Sequence, residues 1–102
     1  MQDFILAKRE EIAELCRKHH VRRLSVFGSA ARDDFDPATS DVDLRVEFDK
    51  ASIDRYADNY FELEEALETL LQRKVDILSS PEIRNVYFRR AVESSQVTLY
   101  AG

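Results

Sequence analysis

The sequence predicts an α/β domain, a mixed sheet of about three to four strands with helices mainly on one side. Two observations support this prediction. Short apolar runs with strand character alternate along the chain with longer segments of helical periodicity. The 102 residues suffice for one modest hydrophobic core. Because no internal repeat or linker-like segment interrupts this order, residues 1–102 are expected to form a single domain.

Three segments have the apolar spacing of amphipathic helices. The first is 3–19, and the second begins at Ser52. The third is 81–94, where Ser80 is expected to be the N-cap and Pro81 the first helical residue. The apolar positions of the first two helices are Phe4, Ile5, Ile12, Leu15 and Cys16, and then Tyr56, Tyr60, Leu63, Leu67 and Leu70.

Four short segments are predicted to be strands: 22–27, 41–48, 74–78 and, as a possible last strand, 97–100. The second of them alternates strictly between apolar and polar residues, which is typical of a half-buried strand. Its polar face carries Asp41, Asp43, Arg45 and Glu47. The predicted order of elements is therefore helix, strand, short turn, strand, helix, strand, helix, strand.

A Gly28-Ser29 step ends the first strand. Ser29 is expected to cap a short turn of helix that runs to about Asp33, and residues 34–40 are expected to form a loop. Glycine permits close approach of the backbone or unusual dihedral angles, and the N–H groups that begin such a turn can bind phosphate oxygens. The step therefore also fits a phosphate-binding turn.

The composition excludes several classes of function. The net charge of −5 argues against a basic surface for nucleic acid, so no direct nucleic-acid binding is expected. No apolar stretch approaches the roughly 18 residues of a membrane span, and the start MQDFILAKREEI lacks the pattern of a signal peptide. The one cysteine, Cys16, cannot form an internal disulfide, which favours a cytoplasmic protein.

Two aspartates in the second strand suggest a metal site. Asp41 and Asp43 lie two positions apart, so their side chains point to the same face with Cα atoms about 6.5–7 Å apart. If the third strand pairs with this one, Asp76 joins them. Such a cluster repels itself, and a divalent cation, Mg²⁺ or Mn²⁺, would relieve the repulsion. Two such ions would suit phosphoryl-type transfer. Each feature alone also fits a solvated strand face or a plain turn.

These motifs, in this order, resemble the minimal nucleotidyltransferases of the DNA polymerase beta superfamily. The matching segments are VFGS, SDVDL and KVDIL, and the tail NVYFRRAVESSQVTLYAG is similar to that of the short MntA-like antitoxins of HEPN/MNT toxin–antitoxin systems. The resemblance covers nearly the whole chain and implies the polymerase-beta-like nucleotidyltransferase fold. It also implies transfer of AMP from ATP to a tyrosine of a partner HEPN-domain ribonuclease toxin, with which the chain would form a hetero-oligomer.

The resemblance further implies roles for individual residues. Asp41 and Asp43 would bind two Mg²⁺ ions, and Asp76 would bind the catalytic ion and help orient or deprotonate the attacking hydroxyl. Gly28 and Ser29 would bind the nucleotide phosphates. The basic residue that often follows Gly-Ser is Ala30 here, which leaves Arg32 as the expected phosphate contact.

Two other functions remain open at this stage. The chain could be an antitoxin that neutralises its toxin by binding alone and retains the metal site as a relic. It could also be one subunit of a small-molecule nucleotidyltransferase, which would need a partner or a second copy to build an acceptor pocket. The intact Gly28-Ser29 step and the three aspartates favour an active enzyme.

Overall fold

The fold is a four-stranded mixed sheet with helices packed against it. The computed structural model describes residues 2–32, 36, 41–49, 56–79 and 85–102. The strands are β1 Val21–Phe27, β2 Val42–Phe48, β3 Val75–Ser79 and β4 Val97–Ala101. The helices are α1 Asp3–Leu6, α2 Arg9–Lys18, α3 Tyr56–Leu71 and α4 Val86–Ser95, and a 3-10 turn spans Gly28–Ala31. All four predicted strands are confirmed, each to within one residue at either end.

The sheet has the strand order β3-β2-β1-β4. Strand β1 runs antiparallel to both β2 and β4, whereas β2 and β3 are parallel. The parallel pair is joined through α3, as a crossover between parallel strands requires. The predicted mixed sheet is therefore confirmed, and the third strand pairs with the second.

The hydrophobic core lies on one face of the sheet, under α1, α2 and α3. The alternate residues Val42, Leu44 and Val46 of β2 are buried there, as the strict alternation predicted. Helix α4 contacts the other face, where the Phe88 ring meets the Phe27 ring edge-on at a centroid distance of 6.4 Å. The prediction that helices lie mainly on one side is confirmed.

The first predicted helix, 3–19, is interrupted. Helix α1 ends at Leu6, and α2 begins at Arg9 and ends at Lys18. The start of the chain is held instead by the 3-10 turn, because the Gln2 N–H donates to the Ala30 carbonyl at 3.1 Å. Apolar periodicity alone could not predict the break, since it depends on this contact with a distant part of the chain.

The last helix begins later than predicted. Asn85 has an extended backbone, and its Oδ1 accepts hydrogen bonds from the N–H groups of Tyr87 at 2.9 Å and Phe88 at 3.1 Å. This is the geometry of an N-cap, so this helix begins at Val86, later than the predicted start. The predicted cap at Ser80-Pro81 lies outside the described residues.

Two further predictions concern loops and caps. Ser29 does not cap the turn, because it lies inside the 3-10 segment and Phe27 occupies the N-cap position without a side-chain hydrogen bond. The predicted helix start at Ser52 lies outside the described residues, and so does the loop 34–40 apart from Asp36. Within the described part of the chain, no helix is long and apolar enough to cross a membrane.

Candidate active site

Three aspartates lie together at one end of the parallel strand pair. The register places Asp43 of β2 directly beside Asp76 of β3, and Asp41 stands just before β2. The neighbours of Asp76 on either side, Val75 and Ile77, are buried in the core. Because side chains alternate along a strand, Asp43 and Asp76 point away from the core. The structure thus brings the three predicted carboxylates together.

Helix α3 holds the outer edge of β3 in place beside this site. The Val75 N–H donates to Glu68 Oε2 at 3.1 Å, and the Tyr60 hydroxyl donates to the Ile77 carbonyl. These bonds satisfy backbone groups on the edge of β3 that faces away from β2. Asp76 lies between the two bonded residues, so its backbone is fixed on both sides.

Gly28 is the backbone neighbour of the Asp43 carboxylate. Its φ of +69° lies in the left-handed region that glycine adopts without steric cost. A Cβ atom built on Gly28 would lie only 2.5 Å from Asp43 Oδ2. The approach is set by the β1–β2 register, which pairs Phe27 with Asp43. A side chain at position 28 would therefore displace the central carboxylate.

The carboxylates repel each other in the folded chain. The pKa of Asp43 is raised above its usual range, first by burial and then by the charges of Asp76 and Asp41. The positive charge of Arg32 acts in the opposite direction and lowers the pKa. The site therefore concentrates negative charge around one half-buried carboxylate, with an exposed arginine beside it.

The turn that follows β1 is held in place by the core and by the start of the chain. Ala30 is fully buried, so the structure has no room for a basic side chain at this position. Gln2 Nε2 donates to the Arg32 carbonyl at 2.7 Å, and the Arg32 N–H donates to the Ser29 carbonyl at 3.1 Å. These bonds fix the backbone position of Arg32. Ser29, whose carbonyl accepts one of them, is partly exposed.

Two neighbours of the site were not assigned to it from the sequence. Glu64 lies near it, since its pKa is raised by burial, by Glu68 and by Asp76, and lowered by Lys74. Its spacing of four from Tyr60 and Glu68 would have identified it once α3 was known to cover the β3 edge. The second neighbour is an exposed apolar surface at the start of α4, formed by Val86, Tyr87 and Phe88. No sequence signal linked this surface to Phe27.

The donor atoms suit a hard divalent cation. Among the described residues, no three His, Cys, Asp or Glu side chains are arranged as a ready metal-binding group. Mg²⁺, however, usually keeps several waters and takes one or two carboxylates together with substrate phosphates. The clustered carboxylates fit such a partial ligand set, since burial and then mutual repulsion raise the Asp43 pKa. They do not form a complete protein cage.

The sequence matches known nucleotidyltransferases over most of its length. Residues 9–98 match the family described as nucleotidyltransferase domain. A protein of Methanocaldococcus jannaschii, provisionally named protein adenylyltransferase MJ1379, is 35% identical over 95 residues, which cover 85% of this chain and 93% of that protein. A second, provisionally named protein adenylyltransferase MJ0128, is 36% identical over 93 residues, 91% of this chain and 89% of that protein.

Solved structures share the fold. One, described as a provisional minimal nucleotidyltransferase, is 33% identical with a TM-score of 0.77, and the match covers 94% of this chain and 95% of that one. A chain from a toxin–antitoxin crystal structure with AMP-PNP has a TM-score of 0.67 at 19% identity. The match covers 92% of this chain and 73% of that one. At that identity the likeness concerns the fold alone. The chain belongs to the nucleotidyltransferase domain family and is a minimal nucleotidyltransferase of the DNA polymerase beta superfamily.

Proposed function

We propose that this enzyme transfers AMP from ATP to a tyrosine hydroxyl of a partner HEPN-domain ribonuclease toxin and thereby acts as its antitoxin. The observation that carries the proposal is the contact of Gly28 with Asp43 beside Asp76. It places the turn that would bind phosphate next to the carboxylate cluster. Two relatives with the provisional name of protein adenylyltransferase support a protein acceptor. Structural neighbours from toxin–antitoxin complexes, one with AMP-PNP, support the class of partner and the nucleotide.

Asp41, Asp43 and Asp76 would hold Mg²⁺, two ions in the full complex. Bound Mg²⁺ supplies charge neutralisation of the triphosphate and activation of the acceptor oxygen. The protein side chains contribute position: Asp43 is fixed between Gly28 and Asp76 by the strand register. Asp76 is exposed at the outer strand, where the side chain of a partner protein can reach it.

Gly28, Ser29 and Arg32 would hold the triphosphate. The left-handed backbone of Gly28 turns the chain sharply at the end of β1, so that the following N–H groups and the Ser29 hydroxyl can face phosphate oxygens. Arg32 is exposed and close enough to lower the pKa of Asp43. Its guanidinium can therefore bind a phosphate held at the carboxylates.

The transfer itself is a displacement at phosphorus. The phenol oxygen of the acceptor bonds to the α-phosphorus of ATP, and the bond from that phosphorus to the bridging oxygen breaks, releasing pyrophosphate. The phenol proton passes to Asp76 or to water. In such transfers the enzyme contributes mainly position and electrostatic stabilisation, which a small domain can supply.

The test combines the purified protein, the candidate HEPN-domain partner, Mg²⁺ and each nucleoside triphosphate in turn. Intact-mass spectrometry should show one or more added AMP units on the partner with ATP. Asp43→Asn should abolish the addition, whereas Asp58→Asn, which removes a charge from the start of α3, should not. A complex that forms without any added mass would reject transfer to this partner and favour the antitoxin that acts by binding alone.

A further inference from the structure

A long groove lies between α2 and α3, away from the aspartate cluster. Its volume is about 730 Å³. The two helices pack on the face of the sheet opposite to Asp43 and Asp76, so the groove and the candidate active site lie on different sides of the molecule. Leu15, Ala66 and Leu70 contribute apolar surface to the groove. It is therefore separate from the candidate active site.

The walls of the groove are strongly acidic. Four glutamates line it, two from each helix: Glu11, Glu14, Glu62 and Glu65. Among the described residues, none of Glu11, Glu14 and Glu65 has an ion-pair partner. Carboxylates of like charge along one groove give it a negative electrostatic potential, which attracts a cationic ligand.

His19 does not offset these charges at neutral pH. Its side chain is 8% exposed, and Nδ1 lies 3.7 Å from Glu62 Oε2. Burial lowers the pKa of His19 below its usual range despite the opposing effect of Glu62. The imidazole is therefore mostly neutral at pH 7, and Lys18 is the one charged base among the described residues that line the groove.

We propose that this acidic groove docks a basic amphipathic helix of a partner protein. Apolar side chains of that helix would contact Leu15, Ala66 and Leu70, and its lysines and arginines would pair with the glutamates on both walls. The lining residues of α2 extend from Glu11 to Lys18, which corresponds to about 10 Å along a helix axis, or two turns. That length suits a short helix laid in a groove between two others.

Charge complementarity selects this occupant over other macromolecules. Nucleic acid and anionic lipid surfaces carry the same sign of charge as the groove and would be repelled. A neutral apolar helix would cover the floor but leave the glutamates unpaired. The proposal does not depend on the transfer reaction, because docking here leaves the face with Asp43 and Asp76 open.

The test is a titration without nucleotide. A fluorescent helical peptide with a leucine stripe flanked by lysines is titrated with the protein at low salt, and binding is followed by anisotropy. A second peptide has glutamine in place of every lysine. Glu14→Gln/Glu65→Gln should weaken binding of the lysine peptide about three- to tenfold, as the loss of two exposed ion pairs implies. Amide chemical shifts of the protein locate the bound peptide.

The matched control removes two negative charges outside the groove. Asp3→Asn/Glu10→Gln changes the net charge by the same amount at the first turns of α1 and α2. This variant should bind the lysine peptide with nearly unchanged affinity. The amide chemical shifts of the protein that change on binding should map to α2 and α3. Equal weakening by both double variants, equal affinity for both peptides, or shifts at another surface would each reject the proposal.

Discussion

Replacing Gly28 by alanine tests the contact on which the candidate active site is built. The backbone of Gly28 has a φ of +69°, and the added Cβ would lie 2.5 Å from Asp43 Oδ2. Real Cβ atoms do not approach an oxygen so closely, so the Asp43 side chain must rotate away. The substitution therefore carries two separate costs, one in the backbone and one in the carboxylate.

Each cost can be estimated. A residue with a Cβ in the left-handed region costs roughly 1–2 kcal/mol, offset by about 0.4–1 kcal/mol because alanine restricts the unfolded chain. Rotating Asp43 away from its preferred conformation costs about 0.5–1.5 kcal/mol. Gly28→Ala should thus destabilise the wild type by about 1–2 kcal/mol. In an Asp43→Ala background only the backbone cost remains, so the effect should fall by about 1 kcal/mol.

The assay is urea unfolding of four proteins: wild type, both single variants and the double variant. The free energies of unfolding form a double-mutant cycle, and the coupling energy measures the contact between Gly28 and the Asp43 carboxylate. A coupling within about 0.3 kcal/mol of zero would mean that the carboxylate does not limit position 28. A stabilising Gly28→Ala would also contradict the left-handed backbone.

Three further predictions concern pH, hydrogen bonding and reactivity. The pKa of Asp43 is raised in the folded state from 3.8, so its ionised form destabilises the fold. Urea unfolding should therefore show Asp43→Asn to be more stable than the wild type at neutral pH by about 0.5 kcal/mol. This difference should disappear as the pH falls through the raised pKa towards 3.8. Tyr60→Phe should cost about 1 kcal/mol in thermal unfolding because the Ile77 carbonyl loses its donor, whereas Tyr87→Phe should cost almost nothing at a side chain that is 82% exposed. Cys16 is fully buried with a pKa of about 12, so a thiol reagent should label it only after unfolding; rapid labelling of the native protein would contradict its placement in the core.

Local sequence was sufficient for the strands. Strict alternation in 41–48 predicted both the strand β2 and the face that it buries, because a strand exposes every second residue to the same environment. The Gly-Ser step correctly marked the end of β1 at Phe27. The helix boundaries were less reliable. The Ser80-Pro81 signal suggested an early start, whereas Asn85, also a favoured N-cap residue, begins the observed helix α4.

The interruption of the first predicted helix after Leu6 shows why helix boundaries cannot be predicted from the local sequence pattern alone. The apolar positions from Phe4 to Cys16 fit one continuous helix. The first turn, however, also packs Ile5 into the core and binds the 3-10 turn through Gln2. Both contacts involve residues distant in sequence, and their combined free energy outweighs the favourable intrinsic helix propensity of Ala7 and Lys8, which is weak in energy.

The sequence by itself determined the groups of the candidate active site: three aspartates, a Gly-Ser step and the strands that carry them. Only the tertiary structure decided that these groups meet. The parallel register of β2 and β3 places Asp76 beside Asp43, and the antiparallel register of β1 and β2 brings Gly28 against the same carboxylate. Strand pairing depends on the packing of whole faces against the helices, which no short stretch of sequence contains.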